Sequence, residues 1–223
     1  MFIGHFAVAF AAKRVAPRTS LGTLLLSAQF LDLLWPILLL LGLEHVRIDP
    51  GNTAVTPLDF YDYPISHSLI GALCWALLFG AIYFTIRWEK KTAVILGFLV
   101  LSHWLLDYLT HRSDLPLSPG SHTYVGLGLW SSVVWTVAVE SFMFLAGTAL
   151  YLRTTVPRGR AGGFGFWLFV VFLISLYLGN LFGPPPPSES VIEVSGIGLW
   201  LLVLWAHWID RNRTVLQPQQ ESP

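Results

Sequence analysis

Residues 102–111 read Ser-His-Trp-Leu-Leu-Asp-Tyr-Leu-Thr-His, and they close a stretch, residues 92–110, that is otherwise apolar enough to cross a membrane. His103, Asp107 and His111 follow one another at intervals of four, and on a helix that spacing places all three on one face. Ionisable side chains at membrane depth are costly and usually functional. The stretch therefore predicts both a membrane-spanning helix and a functional site on it.

The composition of the whole chain agrees with a membrane protein. Of its 223 residues, 54% are hydrophobic and 12% are charged, whereas a soluble domain carries about 25% charged residues. Ten Trp suit a protein with two membrane–water interfaces. The net charge of zero argues against a nucleic-acid partner. Cys74 is the single cysteine, so no internal disulfide is expected.

We predict an all-α polytopic membrane protein with about six transmembrane helices and a short N-terminal half-helix, because each long apolar stretch can cross about 30 Å of hydrocarbon. A single transmembrane domain should cover 1–216, and a disordered tail 217–223. The half-helix is expected over 2–14, and the spans over about 21–43, 64–86, 92–110, 130–152, 163–183 and 190–209. The half-helix is too short to span, so it should fold back into the membrane or, alternatively, lie on its surface as an amphipathic helix.

Lysine and arginine residues predict the orientation of the chain. Of the 13 Lys and Arg, only Arg47 and Arg112 lie outside four alternate connecting segments. Those segments are 13–18, 87–91, 153–160 and 211–213. The positive-inside rule assigns them, together with the C-terminus, to the cytoplasmic side.

Polar residues of different predicted helices fall at a similar depth. A rise of about 1.5 Å per residue places four of them in the outer half of the membrane, within about 10 Å of depth. They are Asp32, His67, His103 and Asp107. His5 on the half-helix would reach the shallow edge of the same layer. Such His and Asp sets suit Zn²⁺, with Mn²⁺ or Fe as alternatives, and a cation would neutralise carboxylates that are costly in a low dielectric.

Each polar residue taken alone also has a plainer interpretation. Asp107 could be a protonated or hydrogen-bonded helix carboxylate, and His103 a core histidine bonded to a backbone carbonyl. Glu140, about 15 Å into its helix, could be a metal ligand, a general base or a hydrogen-bond partner of a neighbour. Ser68 could orient the adjacent His67 or cap a helix.

The outer loop over residues 111–129 supplies further candidates. His111, Arg112 and His122 lie in or beside it, and Arg112 could hold an anionic headgroup. Together with Ser68, these three residues are candidate substrate contacts.

These motifs resemble the YdjM-type membrane-bound metal-dependent hydrolases, which are grouped with zinc-dependent phospholipase C and the single-strand zinc nucleases. The resemblance covers about residues 1–152. Its motifs are Gly4-His5, Asp32, Ser66-His67-Ser68 and Ser102-His103-x-x-x-Asp107. It implies that five residues bind metal: His5, Asp32, His67, His103 and Asp107. It also implies phosphoester hydrolysis and a prokaryotic source. Relatives often place His-Arg shortly before the Ser/Thr-His-Ser element, whereas Asp62-Tyr63 stands here, so a basic phosphate contact is lost.

The leading interpretation is a membrane-embedded metal-dependent hydrolase that cleaves a phosphoester of a lipid or lipid-linked substrate in the outer half of a prokaryotic inner membrane. The metal would lower the pKa of a bound water and polarise the phosphoryl oxygen. Asp62 or Glu140 would act as the base. The alternatives are a transporter that uses the same residues as a proton or metal relay, and a scaffold protein with a vestigial site. The sequence leaves the oligomeric state open.

Overall fold

A computed structural model describes residues 1–216, and the tail predicted over 217–223 lies outside the described residues. The described residues form ten α-helices and three two-stranded ribbons. The helices are α1 (Ile3–Ala12), α2 (Leu21–Ala28), α3 (Phe30–Leu40), α4 (Pro64–His67), α5 (Leu69–Arg87), α6 (Lys90–Thr110), α7 (Val133–Thr154), α8 (Arg160–Phe182), α9 (Glu189–Ile197) and α10 (Leu199–Arg211). The strands are β1 (His45–Ile48), β2 (Leu58–Asp62), β3 (Leu115–Pro116), β4 (Tyr124–Val125), β5 (Thr155–Pro157) and β6 (Arg213–Val215).

The prediction of an all-α polytopic membrane protein is confirmed. Five helical segments within residues 1–216 are long and apolar enough to cross a membrane: α5, α6, α7, α8 and the continuous pair α9–α10. A sixth crossing results if α2 and α3, which are bent by 59° relative to each other, form one span. The chain is thus an integral membrane protein with five or six spans.

The bend between α2 and α3 falls at Gln29, whose backbone leaves the helical region (φ −100°, ψ 8°). Beyond it α3 restarts, with Asp32 in its first turn. The carbonyl of Ala28, at the break, accepts a hydrogen bond from Nδ1 of His103 on α6 at 2.8 Å. The break therefore both redirects the chain and joins it to the predicted site helix.

The short helix α1 lies inside the bundle, packed between α2, α6 and α7, and not on its surface. Gly147 on α7 permits this approach, because a Cβ there would overlap the backbone of Ala7. Glu140, also on α7, accepts hydrogen bonds from the backbone N–H groups of Phe2 and Gly4 at 2.9 and 3.2 Å. A carboxylate thus satisfies N–H groups at the start of α1 that have no partner within the helix.

The connecting segments gather at two opposite ends of the bundle. At one end β5 pairs with β6, and Lys13 Nζ lies 2.8 Å from Asp210 Oδ2. At the other end β1 pairs with β2, and Arg112 Nη2 lies 2.5 Å from Asp59 Oδ1. The first end carries the basic segments and is called the inner end; the second is called the outer end.

Candidate metal centre

Five ionisable side chains from four helices meet beside the α2–α3 bend. They are His5 on α1, Asp32 on α3, His67 on α4, and His103 and Asp107 on α6. They form two groups, His5–His103–Asp107 and Asp32–His67–His103; within each, the potential ligand atoms lie within 4.8 Å of one another. The structure thus brings together all five residues that the sequence indicates as ligands, and we call this set the centre.

Asp107 connects the two groups through its two oxygens. Its Oδ1 lies 3.1 Å from His5 Nε2, and its Oδ2 lies 3.2 Å from His103 Nε2 and 3.8 Å from His67 Nε2. Oδ1 also accepts a hydrogen bond from the Met1 nitrogen at 2.5 Å. Oδ1 therefore faces His5, and Oδ2 faces His67 and His103.

Hydrogen bonds at the far nitrogens turn two imidazoles toward the centre. His103 donates from Nδ1 to the Ala28 carbonyl, so the neutral ring carries a lone pair on Nε2. His67 Nδ1 lies 2.7 Å from Ser66 Oγ, which itself donates to Glu44 Oε2 at 2.6 Å. Because that hydroxyl hydrogen is committed to Glu44, His67 donates from Nδ1 and presents its own Nε2 lone pair.

Glu44 supports the centre from behind His67. It is buried, and its Oε1 accepts backbone hydrogen bonds from Ile65 and Ser66, both at 2.7 Å. Burial raises the pKa of the Glu44 carboxyl, while the hydrogen bonds from Ser66 oppose that rise. Glu44 therefore fixes the start of α4, and with it the position of His67.

The donor set fits a divalent cation. Ligand atoms about 2.0–2.2 Å from a tetrahedral ion lie about 3.3–3.6 Å from one another. Asp32 Oδ1 lies 3.4 Å from His103 Nε2 and 3.5 Å from His67 Nε2. His103 is fully buried, and within the described residues its Nε2 contacts the Asp32 and Asp107 carboxylates without making a well-aligned hydrogen bond to either. A buried atom of this kind is costly unless something binds it, so this buried His/Asp group could hold a metal ion.

A cavity of about 540 Å³ opens from the centre toward the outer end. From the centre, Asp32, His67 and Asp107 line it, and Glu140 lines it from α7. The β1–β2 connection and the segment after α8 border its outer side. The cavity volume lies within the range of about 300–1,000 Å³ that small-molecule sites occupy.

His111 lines the same cavity and is held by a carboxylate. Its Nδ1 lies 3.0 Å from Asp114 Oδ1, to which Tyr63 also donates at 3.2 Å. Burial, followed by the Asp114 charge, raises the pKa of Tyr63 well above its usual range, so the phenol remains a donor. Trp130 packs on the imidazole, with ring centroids 4.3 Å apart. Asp114, Tyr63 and Trp130 therefore hold the His111 imidazole in place.

The structure places the other predicted site residues less favourably. Asp62, expected as a base, is 45% exposed on the β1–β2 hairpin and pairs with His45 at 2.9 Å, so it does not line the cavity. Ser68 accepts a hydrogen bond from the Gly71 N–H at 3.0 Å and caps α5. Arg112 is held by Asp59 and Asp114. His122 is exposed in the outer loop and does not line the cavity.

Four residues of the site were not predicted from the sequence. Glu44 lies 22 positions before Ser66, and no spacing rule links them. Asp114 follows His111 by three residues, a separation short enough to have indicated a pair. Trp35 and Tyr177 also line the cavity, but in the sequence they belong to apolar runs in which an aromatic residue carries no signal.

No known protein-family model, curated protein or solved structure matches this chain. A function must therefore be argued from the centre and its cavity.

Proposed function

We propose that the chain is a membrane-embedded metal-dependent hydrolase that cleaves a phosphoester of a lipid or lipid-linked substrate in the outer half of the membrane. The observation that carries the proposal is the buried cluster of His103 Nε2, Asp32 Oδ1 and Asp107 Oδ2, in which the nitrogen lies 3.4 and 3.2 Å from the two oxygens, the spacing of atoms that share one cation; both carboxylates line the floor of a cavity. The resemblance to the YdjM-type hydrolases agrees with it.

His5, Asp32, His67, His103 and Asp107 would hold one or two ions. Three imidazoles and two carboxylates suit Zn²⁺, with Mn²⁺ or Fe as alternatives. A bound ion of this kind supplies a water of lowered pKa and polarises a phosphoryl oxygen. Ser66 and Glu44 would keep His67 in the tautomer that binds metal.

His111 is the side chain best placed to carry a proton in the cavity. Asp114 holds its Nδ1, and its Nε2 has no hydrogen-bond partner among the described residues. That nitrogen can take a proton from the attacking water or return one to the leaving alkoxide, as in other carboxylate-oriented histidines. We therefore prefer His111 to Asp62 as the base. Glu140 lines the cavity, but one of its oxygens is committed to the start of α1.

A transporter that uses the same residues as a relay is the alternative. It needs a polar path from the centre to the inner end, and the residues between them are largely apolar: Phe6, Phe10, Leu24, Leu25, Leu96 and Phe166, among others, pack there with little or no exposed surface. This packing favours a hydrolase that opens only outward. A scaffold with a vestigial site predicts that substitutions at the centre leave function intact, which the experiment below also tests.

We also propose a prokaryotic inner-membrane location with the C-terminus in the cytoplasm. The gathering of the basic segments at one end of the bundle supports this orientation, because cytoplasmic ends carry an excess of Lys and Arg. The cavity then opens to the outer leaflet.

Metal content tests the proposal first. The purified protein should contain zinc, manganese or iron in near-stoichiometric amount by elemental analysis, and it should release phosphate or a phosphorylated headgroup from lipid phosphoesters. The His103→Ala/Asp107→Ala double variant should lose both the metal and the hydrolysis.

The control is His45→Ala, which removes an exposed histidine outside the cavity and should keep both properties. A folded wild-type protein that stays metal-free after incubation with each ion would exclude the hydrolase mechanism and leave the relay as the better proposal. Metal binding with full activity in the double variant would point to a vestigial centre.

A further inference from the structure

The cavity has a second wall that contains none of the five residues of the centre. Leu176, Tyr177, Gly179 and Leu181 on α8 line it opposite the metal ligands. Ile192, Ser195, Gly196 and Leu199 extend this wall onto α9 and the start of α10. None of these residues can ligate a hard cation through a carboxylate or an imidazole. The wall is therefore a mostly apolar surface that continues directly from the centre.

The two helices of this wall diverge toward the outer end. α8 packs against α10 but scarcely contacts α9, so their outer halves leave a cleft between them. Gly179, Asn180 and Ser195 line the cavity and are nevertheless exposed at this cleft. The α8–α9 side of the cavity is therefore formed in part by exposed residues.

The residues of the cleft lie at the depth of the membrane's hydrocarbon layer and not at the depth of the lipid headgroups. Leu176 lies six residues before the end of α8, which places it about 9 Å below that end. Leu199 lies ten residues after the start of α9, or about 15 Å along the chain of helices. The flanking residues Leu178 and Val194 are 47% and 68% exposed, as expected of side chains that face acyl chains.

Two hydrogen-bond donors in residues that line the cavity have no acceptor among the described residues. Trp35 Nε1 and Tyr177 Oη are both buried and without a hydrogen-bond partner among the described residues. Tyr177 stacks on Phe2 with ring centroids 6.4 Å apart, and Trp35 packs edge-on to His67 at 6.5 Å. Trp35 therefore lies beside the centre and Tyr177 beside the start of α1, and both line the cavity, where an oxygen-rich headgroup would accept their hydrogen bonds.

We propose that the α8–α9 cleft is the lateral entry and the hydrocarbon-binding wall for a long-chain lipid phosphoester, whose phosphate reaches the centre while its chain remains between the two helices. This inference rests on the proposed function and assigns a role to helices that contribute no metal ligand. The apolar cleft lies at the depth of the lipid hydrocarbon and would bind the acyl chain, and the donors of Trp35 and Tyr177 would bind the headgroup.

Gly179 allows a clean test, because a Cβ there meets no heavy atom within 4 Å. Gly179→Phe should fill the cleft without disturbing the packing of α8. Leu178→Phe is the matched control, since it adds the same ring one residue away on a side chain that does not line the cavity. Each protein is reconstituted in phosphatidylcholine nanodiscs with phosphatidic acid that carries a photoactivatable diazirine in its acyl chain, and labelled peptides are identified by mass spectrometry.

In the wild type, labelling should concentrate on peptides containing 176–181 and 192–199, above the level on the lipid-facing surface of α7 around Phe142. Gly179→Phe should largely remove this labelling by occupying the space, whereas Leu178→Phe should leave it unchanged. Metal content should be the same in all three proteins.

Uniform labelling over all lipid-facing helices, or equal labelling in Gly179→Phe and Leu178→Phe, would overturn the lateral cleft even if the protein binds metal and hydrolyses phosphoesters. Conversely, a metal-free protein that is still labelled selectively at the cleft would refute the proposed function and leave a lipid-binding site.

Discussion

The inner and outer halves of the bundle are built on different principles. In the inner half, α1 and its neighbours pack aromatic rings closely: Phe10 contacts Phe144, Tyr151 and Phe166 with ring centroids 5.7–5.8 Å apart. An ion pair between the buried Lys13 and the partly buried Asp210 closes that end. The outer half instead contains the cavity, the buried carboxylates of the centre and most of the buried polar atoms that lack partners among the described residues.

The close packing and the centre thus occupy separate parts of the molecule, and α1 joins them. The inner end of α1 carries Phe10, which belongs to the packed core, while its outer end carries His5, which belongs to the centre. Close packing is what makes interiors stable and rigid. Unsatisfied polar groups cost stability and are usually kept for function. Substitutions in the two halves should therefore have separable effects.

The largest effect on stability is expected from Phe10→Ala. Truncating this fully buried ring should cost about 4 kcal/mol, through the cavity it leaves, and lower the melting temperature by about 10 °C. Metal content per folded molecule should not change. The measurement is size-exclusion chromatography after heating, combined with elemental analysis of the folded peak.

Phe142→Ala is the control for this substitution, because that ring is 74% exposed on the membrane-facing side of α7. Its melting temperature should stay close to that of the wild type. Loss of metal from folded Phe10→Ala protein would show that the two halves are coupled through α1, so that substitutions in them do not have separable effects.

The ion pair at the inner end gives the next largest effect. Lys13 Nζ contacts both Asp210 Oδ2 and the Thr19 carbonyl at 2.8 Å. Lys13→Met leaves the mostly buried Asp210 carboxylate with the Tyr151 hydroxyl as a hydrogen-bond partner and the Arg213 charge nearby, and losing its direct ion pair should cost about 3 kcal/mol. Lys13→Met/Asp210→Asn removes the carboxylate charge as well and should recover part of the melting temperature. A double variant less stable than both single variants would contradict this account of the pair.

The sequence predicts the long apolar helices well, because their length and composition are local properties. Helical rise also places Asp32, His67, His103 and Asp107 at a similar depth, with His5 at its shallow edge, and the structure brings these five side chains together. The sequence does not predict the 59° bend at Gln29, because no proline or glycine marks that position. Nor does it predict Glu44 or the β1–β2 hairpin. Asp62, which we expected as a base, pairs with His45 across that hairpin and does not line the cavity.

Ser66 and Ser68 flank His67 and differ in role, so they separate support of the centre from support of the fold within one tripeptide. Ser66 connects His67 to Glu44, so Ser66→Ala should weaken metal affinity by about 10–100-fold. Ser68 caps α5, so Ser68→Ala should cost about 1 kcal/mol of stability and leave metal affinity unchanged. Chelator competition and melting temperature, measured on both variants, separate the two outcomes. Equal losses of affinity would mean that Ser66 acts only by holding α4 in place.

The smallest effect on stability is expected at Trp35, where the outer half keeps a donor without a protein acceptor. Trp35→Phe removes that indole N–H and breaks no hydrogen bond of the described residues, so the melting temperature should fall only slightly, through lost packing against Phe60. If a substrate oxygen accepts from Nε1, KM for the lipid phosphoester should rise about fivefold, the value of one hydrogen bond of about 1 kcal/mol. Trp200→Phe is the contrasting variant, because Trp200 Nε1 already donates to the Leu33 carbonyl at 3.3 Å. That substitution should lower stability and leave KM unchanged. A stable Trp35→Phe protein with an unaltered KM would mean that the indole N–H does not contact the substrate. Trp35 would then be present in the outer half only for the packing of its ring.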